Sequence, residues 1–332
     1  MNGRVLAFAA KVLMIRQEKK ICLWSGESNV QAGKSPKRRR AFLQDSGGLS
    51  SLGVQPCKKA LLSACNCNTM ISACLRGETG RIYVDEKVSP KTAVSVIGDF
   101  IFFAGAASYE AVAFSQKESA GSYRILIPNG RAWEVVIEDV YRGAYRKIKR
   151  YAMKRKPSAF DKTRLKHFFL HVPVLQKRTD LVENKFQTEF WGKKALLLPA
   201  GQSKQLRISE ITSPIYDQCL SRQWSKDLVA NYESFLKYRE HGIGFVLLEE
   251  EKIVSGASSY VSCGSCIEVE IDTEEYYRRR GFATICGARL IYECLEKGIY
   301  PDWDAHNQES VRLAQKLGYE ISFPYTAYEI CV

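Results

Sequence analysis

The chain has 332 residues, 45% of them hydrophobic, which is enough for one large or two ordinary cores. No run approaches the about eighteen uninterrupted apolar residues of a bilayer crossing, so no membrane span is expected. The formal charge of +13 suggests nucleic acid, yet residues 1–60 hold twelve Lys+Arg against three Asp+Glu and residues 61–332 hold thirty-seven against thirty-three, so +9 belongs to the first sixty; nucleic acid is not an expected partner.

Residues 1–69 carry Lys37-Arg38-Arg39-Arg40 in a Ser/Gly/Gln-rich setting without helical or strand periodicity, and are expected to form a basic, disordered extension. Val5 to Ala10 is too short, and broken too soon by Lys11, for a signal peptide. Strands are predicted at Arg81–Val84, Asp99–Ala104, Tyr123–Ile127 and Lys166–Leu170. Asn129-Gly130 precedes a long helix predicted from Arg131 to Lys156, with Trp133, Val136, Ile137, Val140, Ala144, Ile148 and Tyr151 on one face. Its other face gathers Arg142, Arg146, Lys147, Lys149, Arg150, Lys154, Arg155 and Lys156, which reads as a solvated face, with RNA phosphate as the competing use.

Further along, Ile267, Val269 and Ile271 alternate with Glu268, Glu270 and Asp272, the period of a strand with one buried face and one polar face. Both glutamates therefore point the same way. The run Arg278-Arg279-Arg280-Gly281-Phe282-Ala283 then opens a helix with apolar residues at Ile285, Cys286, Leu290, Ile291, Cys294 and Leu295. Helix starts leave N–H groups unpaired at the positive end of the macrodipole, and guanidinium groups add bidentate contacts, so a diphosphate suits this turn. Ile299 to Asp304 is a predicted short strand, and Asn307-Gln308-Glu309-Ser310 opens a last helix that ends at Gly318.

The segment Arg278 to Ala283 resembles the acetyl-CoA signature of the GNAT N-acetyltransferases, and Asn307-x-x-Ser310-x-x-Leu313-Ala314-x-Lys316-x-Gly318-Tyr319 resembles their following helix. Gly242 to Phe245, Ile253 to Ser259 and Trp303-Asp304-Ala305 look like the branch of zwittermicin A resistance-type acetyltransferases. The resemblance implies an α+β fold, a mixed α/β sheet flanked by helices. Two lobes are expected: a degenerate GNAT-like lobe over 70–195 and a catalytic domain over 196–332. It also implies acetyl-CoA as acyl donor, held in a gap between splayed parallel strands. The pantetheine arm would lie against Ile271 and Thr273, and the pyrophosphate on amides from Arg279 to Thr284 (Arg280, Gly281, Phe282 and Ala283 between). Asn307 would meet the arm or the reacting region, with Ser310 one turn on. The pattern departs at Ala314, where many such enzymes place a tyrosine that protonates the leaving thiolate.

An alkyl ammonium of pKa about 10 is only about 0.1% deprotonated at neutral pH, so amine acylation gains from a base. Glu270 and Glu268 are the candidates, Glu270 favoured as nearer the cofactor signature; a plain solvated strand face is the competing account. The expected function is acetyl transfer to an amine of a small molecule, and the branch resemblance implies an aminated antibiotic as one such acceptor. The alternative is a non-catalytic protein of the same fold that binds nucleic acid or a protein partner.

The eleven cysteines include Cys65-x-Cys67 and Cys263-Gly264-Ser265-Cys266, without a second matched pair or a histidine motif for zinc. The second is expected to be a hairpin turn, Gly264 supplying the bend, with metal or redox use as the competing account. His167, His171, His241 and His306 form no metal pattern, so no metal is expected. The odd cysteine count, without a secretion signal, points to reduced thiols and a cytoplasmic setting.

Overall fold

A computed structural model describes residues 21–23, 69–84, 92–118, 123–170, 172 and 206–331. The basic run at 37–40, the Cys65/Cys67 pair, His171 and the expected lobe boundary at 195/196 lie outside these residues. The chain forms two compact units, one of residues 1–150 with 324–332 and one of residues 151–323. Each pairs a sheet with helices, which is the α+β architecture the resemblance implied.

In the first unit the strands are β1 (Ile21–Leu23), β2 (Arg81–Val84), β3 (Thr92–Ile97), β4 (Phe100–Gly105) and β5 (Tyr123–Ile127). They follow one another in chain order across the sheet, and the end of the C-terminal strand runs antiparallel to β5 (Tyr328↔Leu126). Helix α1 (Thr69–Arg76) precedes β2, while α2 (Tyr109–Glu118) and α3 (Arg131–Tyr141) close a core of Val94, Ile101, Phe103, Val112, Leu126, Trp133, Ile137 and Tyr328. Trp133 donates its indole N–H to the Gly105 carbonyl at 3.1 Å, so its one polar atom is met inside that core.

Two expectations fail nearby. The long helix stops at Tyr141, because Arg142 (φ 46°) and Gly143 (φ 88°) take the left-handed conformation and the Arg142 N–H closes on the Glu138 carbonyl. The chain then returns as strand β6 (Arg146–Met153). The basic residues are thus not one helical face. Arg146 pairs with Glu329, Lys147 with Glu134 and Glu138, Lys154 and Lys156 with Glu320, and buried Arg150 stacks on Phe100. The strand expected at Lys166–Leu170 is instead helix α4 (Lys162–Phe169), capped by the Asp161 carboxylate on the Arg164 N–H, with Leu165 and Phe169 one turn apart and buried.

The second unit holds a five-stranded sheet built from β7 (Leu206–Glu210), β8 (Gly244–Glu249), β9 (Lys252–Cys263), β10 (Cys266–Thr273) and β11 (Tyr300–Asp302), in the order β11-β10-β9-β8-β7. All neighbours are antiparallel except β10 and β11, which run parallel. On one face lies α7 (Phe282–Glu296), whose Phe282, Ile285, Cys286, Leu290, Ile291 and Cys294 pack on Phe245, Leu247, Val254, Ile267 and Val269. The other face is covered by α5 (Ser213–Leu220), α6 (Phe235–His241) and the 3-10 turn Lys226–Leu228 through Tyr216, Leu228, Val229 and Tyr238. Full burial of a side chain of this size contributes about 1.5–3 kcal/mol, so these two faces hold the strands in place. The predicted strand 299–304 is split at Trp303. β11 pairs with β10, and β12 (Asp304–Ala305) pairs with β6 at Tyr151 and Ala152. Helix α8 (Gln308–Leu317) and strand β13 (Ile321–Cys331) complete the chain.

Candidate active site

The site follows from where β10 loses a neighbour. On one side β10 stays paired with β9 to its last residue, Thr273↔Ser255; on the other it meets β11 only through Cys266–Glu268. The Tyr300 N–H donates to the Ser265 carbonyl at 2.7 Å, so the odd-numbered residues of β10 turn their backbone groups toward β11. Past Glu268 no strand among the described residues continues that edge, since Trp303 ends β11 and the next residues pair with β6 instead.

The amides of Ile271 and Thr273 stand on this open edge. Each is closed by the carboxylate just before it: the Ile271 N–H donates to Glu270 Oε1 at 3.2 Å and the Thr273 N–H to Asp272 Oδ1 at 2.7 Å. Among the described residues, each amide's acceptor is a local side chain that an incoming carbonyl could replace. The parting of parallel strands implied by the resemblance is therefore present, with both named backbone positions along it.

At the far end of the edge the chain turns into α7. Arg279 has φ 65°, uncommon for a residue with a side chain, and Gly281 has φ 84°. Alternating left-handed residues of this kind turn successive N–H groups into a concave nest that suits an anion. Gly281 is the cap of α7 with no side chain bonded to it, and the first rung of the helix is Ile285 N–H to the Gly281 carbonyl at 3.2 Å. The amides of Phe282, Ala283 and Thr284 are thus outside the helical ladder. A Cβ built at Gly281 would meet nothing within 4 Å, so the turn has room at that position.

The three arginines divide their roles. Arg278 donates from Nε to the Thr273 carbonyl at 3.2 Å, 3.9 Å from Asp272; Arg279 pairs with Glu309 at 2.7 Å; Arg280 stacks over Tyr276 and Tyr277. Asn307 caps α8 by accepting from the Glu309 and Ser310 N–H groups, and Ser310 Oγ accepts from the Trp303 indole at 3.1 Å. Both polar residues of that motif hold the local fold, and the Asn307 side chain also lies on the exposed surface. Thr284 Oγ1 accepts from Lys316 Nζ at 3.4 Å, a second cation beside the start of α7.

Glu268, Glu270 and Asp272 share the face of β10 opposite the α7 core, as the alternation predicted. Glu268 is buried at 6% exposure, whereas Glu270 is half-buried, so Glu270 is the more reachable of the two. Sequence reasoning passed over two further acids. Burial pushes the Asp272 carboxyl above its ordinary value, and the like charge of Asp227 adds to that; burial also raises Asp227. Asp272 was legible as the third member of the alternating set. Asp227 was not, because it arrives through the seating of Leu228, whose Cδ1 lies 2.6 Å from a Cβ built at Gly256, the β9 partner of Asp272. Among the described residues no group of three or more His, Cys, Asp and Glu is placed to hold a metal ion, and no helix is long and apolar enough to cross a membrane.

Comparison with known proteins places this geometry. The chain is similar to the uncharacterized N-acetyltransferase YdfB of Bacillus subtilis (strain 168), with 25% identity over 260 residues, 75% of this chain and 85% of that protein. It superposes on the crystal structure of a GCN5-related N-acetyltransferase-like protein from Streptococcus suis 89/1591 with a TM-score of 0.66 and 35% identity, covering 79% of this chain and 92% of the other. The family model described as GNAT acetyltransferase matches residues 59–328. With most of its length matched, this chain belongs to the GNAT acetyltransferase family.

Proposed function

We propose that the protein transfers an acetyl group from acetyl-CoA to a primary amine of a small molecule by direct attack on the thioester. The observation that carries this reading is the edge of β10 past Glu268, which no described strand continues, leading into a dipole-bearing nest at the start of α7. A chain of amides ending in a diphosphate matches that succession of donors, backbone N–H groups first and a helix start last. The residues that would hold the donor are Ile271 and Thr273 along the edge and Arg279 to Thr284 at the nest. Asn307, the cap of α8 four residues after Trp303, would meet the pantetheine arm or the reacting region. When bound, acetyl-CoA supplies an activated acyl group with a good leaving thiolate.

The acceptor side is acidic. Glu268, Glu270, Asp272 and Asp227 would attract an ammonium, and Glu270, the more reachable glutamate, would take its proton. An edge amide left without a strand partner offers a donor to the developing oxyanion. Ala314 is fully buried in the core, so the leaving thiolate takes its proton from another group or from water. The branch resemblance extends the acceptor class to aminated antibiotics. Of the basic residues of 146–156, Arg146, Lys147, Lys154 and Lys156 pair with carboxylates and Arg150 and Arg155 stack on rings, so they do not gather as one helical face for nucleic acid.

A panel of amines assayed for thiol release from acetyl-CoA tests the proposal. Turnover with at least one primary amine, lost when that amine is trimethylated, is the expected result. Donor binding without thiol release across diamines, aminoglycosides and amino sugars would count against catalysis, and absence of donor binding would end the reading.

A further inference from the structure

Cys263 and Cys266 flank the two-residue turn Gly264-Ser265 between β9 and β10 and stand directly opposite each other in the antiparallel register, where Gly264 has φ 60°. Residues so paired project from the same face of the sheet with Cα atoms about 4.5–5.5 Å apart, inside the span a disulfide bridges. Both side chains are thiols and buried, while the two turn residues between them are exposed. The second feature is a cation. Arg155 Nη2 lies 2.6 Å from Cys266 Sγ, and the same guanidinium stacks 4.8 Å over the ring of Tyr300, the β11 partner of Cys266. A fixed guanidinium against one sulfur favours its thiolate, the form that reacts. The nearest acids on these elements are Glu268, two residues along β10, and Asp302 on β11. Burial pushes the thiols of Cys286 and Cys294 up to about 12, and among the described residues neither has a guanidinium hydrogen-bonded to its sulfur.

We propose that Cys263 and Cys266 form a reversible dithiol–disulfide couple in which Cys266, held by Arg155, is the sulfur that meets a small peroxide. The Cys266 thiolate attacks one peroxide oxygen; the S–O bond forms, the O–O bond breaks, and hydroxide leaves to take up a proton. The Cys263 sulfur then displaces the sulfenic hydroxyl, forming the S–S bond and releasing water with its own thiol proton. The dithiol loses two electrons and the peroxide is reduced to water. A thiol reductant restores the pair.

The test uses the full chain, hydrogen peroxide and alkylation before digestion. The tryptic peptide Ile253–Arg278 carries these two cysteines and no others. It should escape alkylation, weigh two hydrogens less, and recover both thiols with dithiothreitol. Cys263→Ser should stop at a sulfenic acid on Cys266 that dimedone captures. Arg155→Gln should slow the oxidation several-fold, and Arg155→Lys should keep most of the rate. A peptide that stays fully alkylated under peroxide that oxidises exposed Cys331 would overturn the proposal, as would an Arg155→Gln rate equal to the parent's. If Arg155→Gln does not fold, the Cys263→Ser product decides alone: dimedone on Cys266 supports the couple and its absence rejects it.

Discussion

Placing an aspartate at Gly281 challenges the nest directly. The glycine has φ 84° and ψ 4°, and a Cβ there meets nothing within 4 Å, so the new side chain has room. Aspartate and asparagine enter the left-handed region more readily than other side chains, at a cost of about 1 kcal/mol, which lowers Tm by a few degrees. The carboxylate would bring a negative charge to the residue that opens α7, beside the amides proposed to hold the diphosphate. Two unit charges about 5 Å apart at an effective dielectric near 20 repel by roughly 3 kcal/mol, and solvent screening at an open site leaves about 2 kcal/mol. The Kd for acetyl-CoA should therefore rise roughly 30-fold. Gly281→Asn pays the same backbone cost without the charge and should bind within roughly threefold of the parent. Isothermal titration of the three proteins at low and high salt reads the effect, the gap between Asp and Asn narrowing as salt rises. Folded Asp and Asn variants with equal affinity would refute the reasoning.

Glu270→Gln should lower kcat by roughly 100-fold, with the loss shrinking as pH rises and the amine deprotonates unaided, while Glu268→Gln has the smaller effect; equal, pH-independent losses would contradict the base assignment. Asp272 has a raised carboxyl, so the folded chain keeps its proton where the unfolded chain has released it, and stability falls as pH climbs from the unfolded value of 3.8 through the folded one. Asp272→Asn should accordingly raise Tm at neutral pH and lose that gain as the solution is acidified, measured by calorimetry across pH. Gly244→Ala drives a Cβ against the Tyr238 hydroxyl, with Ser258 Oγ 2.6 Å away, and should cost about 1–3 kcal/mol in denaturant titration. In thiol labelling read by peptide, exposed Cys331 should react at once and Cys219, pushed up to about 12 by burial, only on unfolding.

What was legible in the sequence was local. The turn at Gly281, the end of α8 at Gly318 (φ 113°) and the cap at Asn307 depend on residue types within a few positions, and each sits where its chemistry placed it. The alternation along β10 likewise showed which side chains share a face. The helix predicted over 131–156 ran too far because Ala144, Ile148 and Tyr151 continue a helical spacing by chance, while Arg142-Gly143 breaks it through backbone conformation. The strand read at 166–170 rested on a short apolar cluster, and the Asp161 cap turns that cluster into a helix. The open edge itself depends on a distant partner, since Asp304 and Ala305 leave β10 for Ala152 and Tyr151, more than 150 residues earlier. Asp227 is hidden for the same reason.

Backbone amide exchange with and without acetyl-CoA addresses the edge and the nest together. The account predicts slower exchange in two separate stretches, at Ile271 and Thr273 and again across Phe282, Ala283 and Thr284, both saturating at one donor concentration. Donor binding that leaves these amides unprotected, or protects only one stretch, would contradict it.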